Sequence, residues 1–507
     1  MLSLLVLIPL VGGLAAVLAR KSGSTARGIA VGASVVELAL AVALLIGLDG
    51  KSANPQYVER FVWIPSLGAQ YHLAADGVTA LMLALTSLLA LLALVLGWDL
   101  AKEHGGAFAG AVLFLVAGVN GAFAARDLLL FFMFWEAMLV PMYLLVALCG
   151  GPRRAFAATK FFIYTTVGSL LMLVAIISLY LIHQAQTGAA TFDLVALAGA
   201  KLGPDVQVWL FLAFALAFAI KVPLFPFHSW IGDLYTEAPL PALVLSTMLV
   251  KVGAYGMLRY CVPLFPDAAR QLAPLLITLA VIGIIYGGIV AATQPTISGV
   301  MAYSSVAQLG FIILGVFALN PAGFRGAVIH MVNHGVSAGA LFAIGAIIMS
   351  RTGTVRLAAL GGLGARWPLL TGAFTIALFS AAGLPGLNGF IGEYLVLLGA
   401  YQSQPTLAVI ATAGVVISAI YLLRLFRKSM HGPQLPQTEG YDRRDLGTRE
   451  LVVLTPLLAL AIWVGLFPNA LLDKLDGSAS TYLPPAIQRT AGDAPASDYQ
   501  IALVTPK

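Results

Sequence analysis

The sequence predicts an all-α, polytopic membrane protein. Of its 507 residues, 60% are apolar and only 10% are Asp, Glu, Lys or Arg, whereas a soluble domain carries roughly 45–50% apolar and about 25% charged residues. Apolar segments of about 20 residues, the length that a helix needs to cross a bilayer, recur along the whole chain. The composition therefore excludes a soluble globule, a disordered chain, a coiled coil and a disulfide scaffold.

About fourteen segments qualify as transmembrane helices. In chain order they are residues 2–19, 28–48, 76–98, 107–125, 128–149, 158–183, 206–224, 240–262, 271–293, 298–318, 324–350, 368–401, 405–426 and 450–470. The twelfth is too long for one straight helix and contains Pro385, while the seventh runs into Pro223 and Pro226. Because proline removes a backbone donor and clashes with the preceding turn, we expect helices 7 and 12 to be broken there.

The distribution of basic residues predicts the orientation. Loops after odd-numbered helices hold sixteen Lys and Arg, loops after even-numbered helices hold seven, and the C-terminal tail holds three. The positive-inside rule then places the odd loops in the cytoplasm of a bacterial inner (plasma) membrane and both termini on the external, periplasmic side. Only two cations, Lys221 and Lys251, remain inside the predicted spans.

The broken helices also predict an internal repeat. They are five helices apart, so helices 4–8 (107–262) and helices 9–13 (271–426) would form two five-helix repeats, inverted in the membrane because five is odd. Helices 1–3 (1–106) precede them, and a cytoplasmic connector, helix 14 and an external tail (427–507) follow. Interrupted helices in inverted halves indicate a transport pathway near the bilayer midplane.

Four ionisable residues are predicted to lie in the hydrocarbon zone: Glu136, Lys221, Lys251 and Glu393. A charge at a helix centre costs roughly 2.5–3.5 kcal/mol on insertion scales, so each should face a partner or a hydrated cavity. A transport path for protons is one interpretation. The alternative is a pair of structural ion bridges between helices.

Histidines extend the set. His330 and His334 are four residues apart and share one helix face, which suits a proton relay because His titrates near neutral pH. A structural role for His330 is an equal alternative, and a metal site would need a third ligand that is absent nearby. His228, just after the first break, would serve either a relay or the free carbonyls, and Lys160 is expected to snorkel to the interface.

Other polar residues, each weak evidence alone, are candidates to line a hydrated path: Tyr255, Tyr394, Ser304, Ser305 and Gln308. The two cysteines, Cys149 and Cys261, lie in apolar runs without a second ligand motif. We therefore expect no metal, no redox centre and no cofactor in this chain. The net charge of +6 is attributed to cytoplasmic loops and not to nucleic-acid binding.

Dense motifs between about residues 120 and 425 resemble one family. They are Ala125 to Tyr143, KFFIYT at 160–165, IKVPLFPFHSW at 220–230, TEAP at 236–239, KVGAYG at 251–256, AYSSV at 302–306, GFIILGVFALN at 310–320, HGVSAGALF at 334–342 and LPGLNGFIGEYLVLLGAY at 384–401. They are similar to the antiporter-like family of proton-pumping subunits of respiratory complex I, of the subunit M type. That resemblance implies fourteen helices, inverted five-helix repeats and broken helices 7 and 12.

The resemblance also implies site roles. Glu136 would be the helix-5 acid and Lys221 its helix-7 partner, and Lys251 would be the central lysine. His334 would be the helix-11 histidine and Glu393 the exit acid. Where the family usually carries a histidine two residues after AYSSV, this chain has Gln308, which cannot titrate. Where the family usually has WLPDAH before TEAP, residues 230–235 read WIGDLY.

The favoured function is that of a non-redox, proton-translocating subunit of an NADH:quinone oxidoreductase. The resemblance implies FMN, iron–sulfur clusters and quinone in partner subunits, and other membrane-arm subunits, including antiporter-like ones, as neighbours in the bilayer. The alternatives are a subunit of a multisubunit cation/proton antiporter or membrane-bound hydrogenase, and a purely structural membrane scaffold.

Overall fold

The computed structural model describes residues 1–19, 22–433 and 444–483, and most of these are helical. In chain order the helices are α1 (Leu2–Leu18), α2 (Gly23–Gly47), α3 (Gly77–Leu96), α4 (Trp98–Glu103), α5 (Gly106–Ala124), α6 (Leu128–Ala137), α7 (Leu139–Cys149), α8 (Arg154–Thr187), α9 (Leu194–Ala198), α10 (Pro204–Lys221), α11 (Ser229–Glu237), α12 (Leu240–Gly256), α13 (Val262–Leu264), α14 (Pro266–Thr293), α15 (Ile297–Phe317), α16 (Pro321–Thr352), α17 (Leu363–Arg366), α18 (Pro368–Ala381), α19 (Asn388–Ser403), α20 (Pro405–Met430), α21 (Thr448–Leu466), α22 (Asn469–Leu472) and α23 (Ala479–Tyr482).

The prediction of a multi-pass helical membrane protein is confirmed. Twelve helices of the described residues are long and apolar enough to cross a bilayer. Two further apolar helices, α1 and α18, are shorter, so the count of fourteen stays a prediction. The predicted external position of the C-terminus concerns residues 484–507, which lie outside the described residues.

A two-stranded antiparallel hairpin, which the sequence analysis did not predict, joins α2 to α3. It consists of β1 (Gln56–Ile64) and β2 (Ala69–Ala75), with Phe61 opposite Tyr71. The β-branched and aromatic residues of β1 favour a pleated strand. The hairpin is the main regular structure in a segment that we interpreted only as an extramembrane loop.

Three apolar segments are interrupted where proline stands. α10 ends at Lys221 and α11 begins at Ser229, with Pro223 and Pro226 between them. α18 ends at Ala381 and α19 begins at Asn388, on either side of Pro385.

The third interruption is only a one-residue irregularity, at Met138 between α6 and α7, inside an apolar helix that runs from Leu128 to Cys149; it was not predicted. Pro141 lies three residues further on, and its ring conflicts with the carbonyl of Ala137, the last residue of α6. Glu136 therefore lies beside this irregularity, within the single apolar helix that the sequence predicts over residues 128–149.

The centre of the molecule is α16, whose apolar stretch is 100% buried. It packs against α12, α15, α18, α19 and α21. Peripheral helices such as α2 and α21 have only 28% of their apolar stretch buried, which leaves apolar side chains for the bilayer or for other subunits. Polar residues in the middle of α12, α15 and α16 consequently lie in the interior.

Candidate functional site

Lys251 and His334 meet in the interior of the molecule. Lys251, on α12, is 0% exposed, and its Nζ donates a hydrogen bond to the carbonyl oxygen of Thr247 at 2.9 Å. The same Nζ lies 3.3 Å from Nδ1 of His334 on α16. Among the described residues no carboxylate lies within 4.0 Å of this ammonium group. Lys251 is thus a buried basic group whose side-chain neighbour is itself able to take up a proton.

A second chain of contacts lies one helical turn away on α16. His330 Nε2 lies 2.8 Å from Oε1 of Gln308, and Nε2 of Gln308 donates to Oε1 of Glu393 at 3.2 Å. Glu393 is 3% exposed and Gln308 4% exposed. Because the amide oxygen can only accept, His330 carries its hydrogen on Nε2 in this arrangement. Gln308 therefore bridges a histidine and a carboxyl group across three helices.

One cavity is lined by residues from both sets of contacts. Its volume is about 20 Å³, measured as the space open to the centre of a water molecule. That volume holds about one water, and water needs two to four polar partners. Its lining consists of Met301, Ser304, Ser305, Gln308, His330, Asn333, His334, Ser337, Ala338, Leu341, Ser380, Ala381, Gly389 and Glu393. The cavity is polar enough for a water molecule that would connect the two histidines with Glu393.

Two glycines allow Glu393 and His330 to approach the second helix break. Gly383 has a left-handed φ of +73°, and a Cβ there would lie 2.2 Å from Oε2 of Glu393. A Cβ on Gly392 would lie 2.6 Å from Nδ1 of His330. Any larger residue would push these groups apart, so the glycines of the GLPGLNGFIG segment hold the carboxyl group against the break.

A pair of asparagines, which the sequence analysis missed, joins the second break to α16. Asn333 Nδ2 donates to the carbonyl oxygen of Asn388 at 2.5 Å, and Asn388 Nδ2 donates to that of Asn333 at 3.3 Å. Ser380 Oγ donates to Oδ1 of Asn388 at 2.5 Å, so both ends of the break are tied to one side chain. These contacts tie the start of α19 to the end of α18 and to the middle of α16.

Lys221 lies apart from these contacts. Its Nζ has no hydrogen-bond partner and lies 5.0 Å from the ring centroid of Trp135 and 5.5 Å from that of Phe161. Glu136 is only half-buried, and its Oε1 is without a partner. The two charged groups are not within 4.0 Å of each other. Lys221 is thus held by aromatic faces beside Glu136 and not by an ion pair with it.

Three expected residues lie outside the cavity. His228 packs against Phe225 and Tyr286, with ring centroids 5.7 and 5.0 Å apart, and its Nδ1 has no partner. Tyr394 is 51% exposed and does not face the interior. The Tyr255 hydroxyl donates to the carbonyl oxygen of Phe123 at 2.6 Å, away from Lys251.

Lys160 also differs from expectation. Instead of only snorkelling, its Nζ donates to Oδ2 of Asp233 at 2.8 Å and to the carbonyl oxygen of Ser229 at 2.9 Å. Both acceptors belong to α11, directly after the first break. The pair ties α8 to that break at the partly exposed edge of the molecule.

Our interpretation that Lys221 and Lys251 are the only cations inside the spans is wrong, because Arg259 is also buried in its helix. Arg259 is 1% exposed and lies in a π-helical turn, Met257–Cys261, that continues α12. Its Nη2 donates to Oδ2 of Asp76 at 2.7 Å, and its Nε donates to the Tyr255 hydroxyl at 2.9 Å. The sequence analysis counted it as a loop residue because it lies near the end of the apolar run.

Asp76 accepts hydrogen bonds from two further side chains. Arg126 Nη2 donates to Oδ2 of Asp76 at 3.1 Å, and so does the Tyr482 hydroxyl at 3.0 Å. We call Asp76, Arg126, Tyr255, Arg259 and Tyr482 the Asp76 cluster. It joins α3, α5, α12 and α23 where α3 begins, and each of its charged groups has a partner of opposite sign.

A buried acid within α2 was also missed. Glu37, in α2, is 0% exposed and contacts Ser87 and Asn120. Glu37 and Arg259 therefore join the two acids and two lysines that the sequence predicts inside apolar helices.

The segment that contains the candidate site, from Glu136 to Glu393, matches a known protein family. Residues 125–420 match the family described as NADH:quinone oxidoreductase/Mrp antiporter, transmembrane. The chain belongs to this family. The match spans every residue of the candidate site from Glu136 to Glu393, and it confirms the resemblance found in the sequence motifs.

Relatives within the family agree along nearly the whole chain. The chain is 38% identical to NADH-quinone oxidoreductase subunit M of Pseudomonas aeruginosa, over 92% of this chain and 94% of the relative. It is 37% identical to the subunit M of Escherichia coli K12, over 92% of this chain and 95% of the relative. Similarity therefore extends well beyond the segment matched by the family, over about nine-tenths of the chain.

Solved structures share the fold. A chain of respiratory complex I from Thermus thermophilus matches with a TM-score of 0.85 and 33% identity, covering 95% of this chain and 100% of that one. A chain of the Mrp complex from Dietzia matches with a TM-score of 0.84 and 22% identity, covering 97% and 98%. The second likeness shows the common fold alone.

Proposed function

We propose that this chain is a non-redox, proton-translocating membrane-arm subunit of an NADH:quinone oxidoreductase. The observation that carries the proposal is the row of buried groups formed by Lys251, His334, His330, Gln308 and Glu393, of which all but Lys251 line one water-sized cavity and Lys251 contacts His334. Buried bases and acids without ion-pair partners are costly as structural elements, and they suit groups that gain and lose protons. We call these five residues the central row.

The proposed transfer begins at Lys221. Gly253 of α12 allows close contact with α10, because a Cβ there would lie 3.1 Å from Cβ of Lys221. Lys221 thus packs against Gly253, which lies two residues after Lys251 in α12. No direct hydrogen bond joins the two lysines. When the carboxylate of Glu136 comes near, it favours the charged form of Lys221, and when it withdraws, burial favours the neutral form. The released proton then moves to Lys251.

From Lys251 the proton would pass through His334 and cavity water towards Glu393. Gln308 does not titrate, but its amide can hold His330 and Glu393 in line. Each charge moved against 100 mV needs about 2.3 kcal/mol. Redox chemistry in partner subunits with FMN, iron–sulfur clusters and quinone would supply this free energy, since we propose no cofactor in this chain.

The proposal includes the arrangement in the membrane. The chain would have fourteen spans in the inner membrane, two inverted five-helix repeats that each contain one broken helix, and both termini on the periplasmic side. Its neighbours would be other membrane-arm subunits, some of them antiporter-like. The names of the relatives support this assembly, and the basic residues of the odd-numbered loops support the orientation.

The test of the proposal is redox-driven proton uptake by vesicles that contain the assembled complex with Lys221→Ala. We expect assembly to survive, because removing a buried charge lowers the cost of insertion. Proton uptake should fall about tenfold or more, equivalent to roughly 1.4 kcal/mol in an activation barrier. Uptake at the parental rate would contradict the proposal and favour a structural scaffold.

An Mrp-type cation/proton antiporter is the second candidate, because the fold of the Mrp chain matches almost as well. The same vesicles distinguish the two. A subunit of the oxidoreductase pumps only when NADH and quinone are supplied, whereas an antiporter exchanges protons for an imposed sodium gradient without them.

A further inference from the structure

Glu37 forms a buried polar group outside the central row. It lies within α2, and its Oε1 is 2.9 Å from Ser87 Oγ on α3 and 2.8 Å from Asn120 Nδ2 on α5. All three residues are 0% exposed. No Lys, Arg or His of the described residues lies within 4.0 Å of the carboxyl group. A carboxylate buried with only neutral donors is strongly unfavourable, because neither hydrogen bond replaces its hydration or a counter-charge.

The hydrogen count around Glu37 leads to the same conclusion. Ser87 Oγ also lies 2.9 Å from the carbonyl oxygen of Leu83, and Asn120 Nδ2 lies 2.9 Å from that of Leu5. These four contacts each need one hydrogen. The Ser87 hydroxyl supplies one and the Asn120 amide group supplies two, which makes three. A proton on Glu37 supplies the fourth. The carboxyl O–H then donates to Ser87 Oγ, which donates to the carbonyl oxygen of Leu83.

The orientation of the Asn120 amide is fixed by the same contacts. Turned the other way, its oxygen would face the carbonyl oxygen of Leu5, and two acceptors cannot share a hydrogen bond. In the observed orientation Asn120 Oδ1 has no partner, and neither do Glu37 Oε2 and Ser34 Oγ. These three buried oxygens can each form a further hydrogen bond.

We propose that Glu37, Ser87 and Asn120 form a proton-binding site in which Glu37 holds one exchangeable proton as a neutral carboxylic acid at neutral pH. The site lies among α2, α3 and α5, shares no hydrogen bond or ion pair with the central row, and does not depend on the function proposed above. Its ligand is the proton, and a bound sodium ion is the competing occupant.

Infrared spectroscopy of the assembled complex in membranes tests this assignment. Glu37→Gln is a neutral replacement of the same shape whose amide can donate to Ser87, so the complex should assemble. We expect this variant to lack one carbonyl band of a protonated carboxyl group that the parental complex shows at neutral pH. In heavy water the parental band should shift. The matched control is Glu103→Gln, at an exposed acid, which should leave that band intact.

A second pair of variants keeps the test decisive if Glu37→Gln does not assemble. Asn120→Leu and Ser87→Ala each remove one contact of the carboxyl group and should move the frequency of its band. The assignment is overturned if Glu37→Gln removes a carboxylate band instead, or if neither neighbour variant moves the band. It is also overturned if sodium abolishes the band, because the site would then bind a monovalent cation in place of the proton.

Discussion

The central row and the Asp76 cluster each take one cation from the same helical segment, but the two cations have opposite surroundings. Lys251 and Arg259 are eight residues apart, and both are almost fully buried. Arg259 is paired with Asp76 at 2.7 Å, whereas Lys251 has only a carbonyl oxygen and a histidine as polar neighbours. The Asp76 cluster has the pattern of an ion bridge that fixes helices, and the central row has the pattern of groups that exchange protons.

The difference matters because burial alone does not identify a functional charge. A buried pair that satisfies its charges is compatible with a static role, while a buried base without an anion is retained at a cost that stability does not explain. The comparison therefore predicts that changes in the Asp76 cluster reduce assembly and that changes in the central row reduce pumping.

The largest effect is expected for Asp76→Ala. Removing the only carboxylate leaves Arg126 and Arg259 buried together, and breaking a buried pair in this way costs about 3–5 kcal/mol. We expect little assembled complex on native gels and a lower unfolding temperature for what remains. Asp99→Ala is the control, because Asp99 pairs with Arg449 at the surface and is 68% exposed. Normal assembly of the Asp76 variant would show that the cluster is not a structural clamp.

A moderate effect is expected for Gln308→Leu. Leucine removes the bridge between His330 and Glu393 without adding a charge, so the complex should assemble while redox-driven proton uptake falls several-fold. Gln308→His is the matched variant, since imidazole can also contact both neighbours and titrates near neutral pH. Its uptake should stay near the parental rate. Equal uptake by the leucine and parental complexes would remove Gln308 from the central row.

The smallest effect is expected for Lys160→Ala. The ion pair with Asp233 is partly exposed, with 22% and 27% of the two side chains accessible, and pairs of that kind contribute about 0–1 kcal/mol. Assembly and proton uptake should both remain close to parental. A loss as large as that of a central-row variant would place Lys160 in the transfer path.

Prolines made the helix breaks predictable, because their effect on the backbone is local. Pro223 and Pro385 marked two interruptions. The third, near Pro141, was missed because the apolar run around it has an ordinary length for one span. The hairpin was missed because a short extramembrane segment carries little periodic signal next to long apolar helices.

Charged residues were predicted where they stand in the middle of an apolar run, as Lys251 does. Arg259 was missed because it stands near the end of such a run, where a basic residue is usually at the interface. A signal was available, since Arg259 lies two turns after Lys251 on the same helix face. Glu37 was missed although it stands inside a span, and its partners Ser87 and Asn120 are distant in sequence, so only the fold brings them together.

The role of Gln308 was the hardest to predict. From sequence, the absence of a titratable group counted against a part in proton transfer. The structure shows that the two ends of one amide contact His330 and Glu393 at once. Such bridging depends on the distances between three helices, which no local pattern contains.

The central claim is tested most directly by proton uptake in vesicles carrying the assembled Lys251→Met complex, with NADH and quinone supplied. Methionine keeps most of the packing volume of lysine and removes the group that would hold the proton. The account predicts normal assembly, with redox-driven proton uptake reduced about tenfold or more, equivalent to roughly 1.4 kcal/mol in an activation barrier. Parental proton uptake by a fully assembled Lys251→Met complex would contradict it.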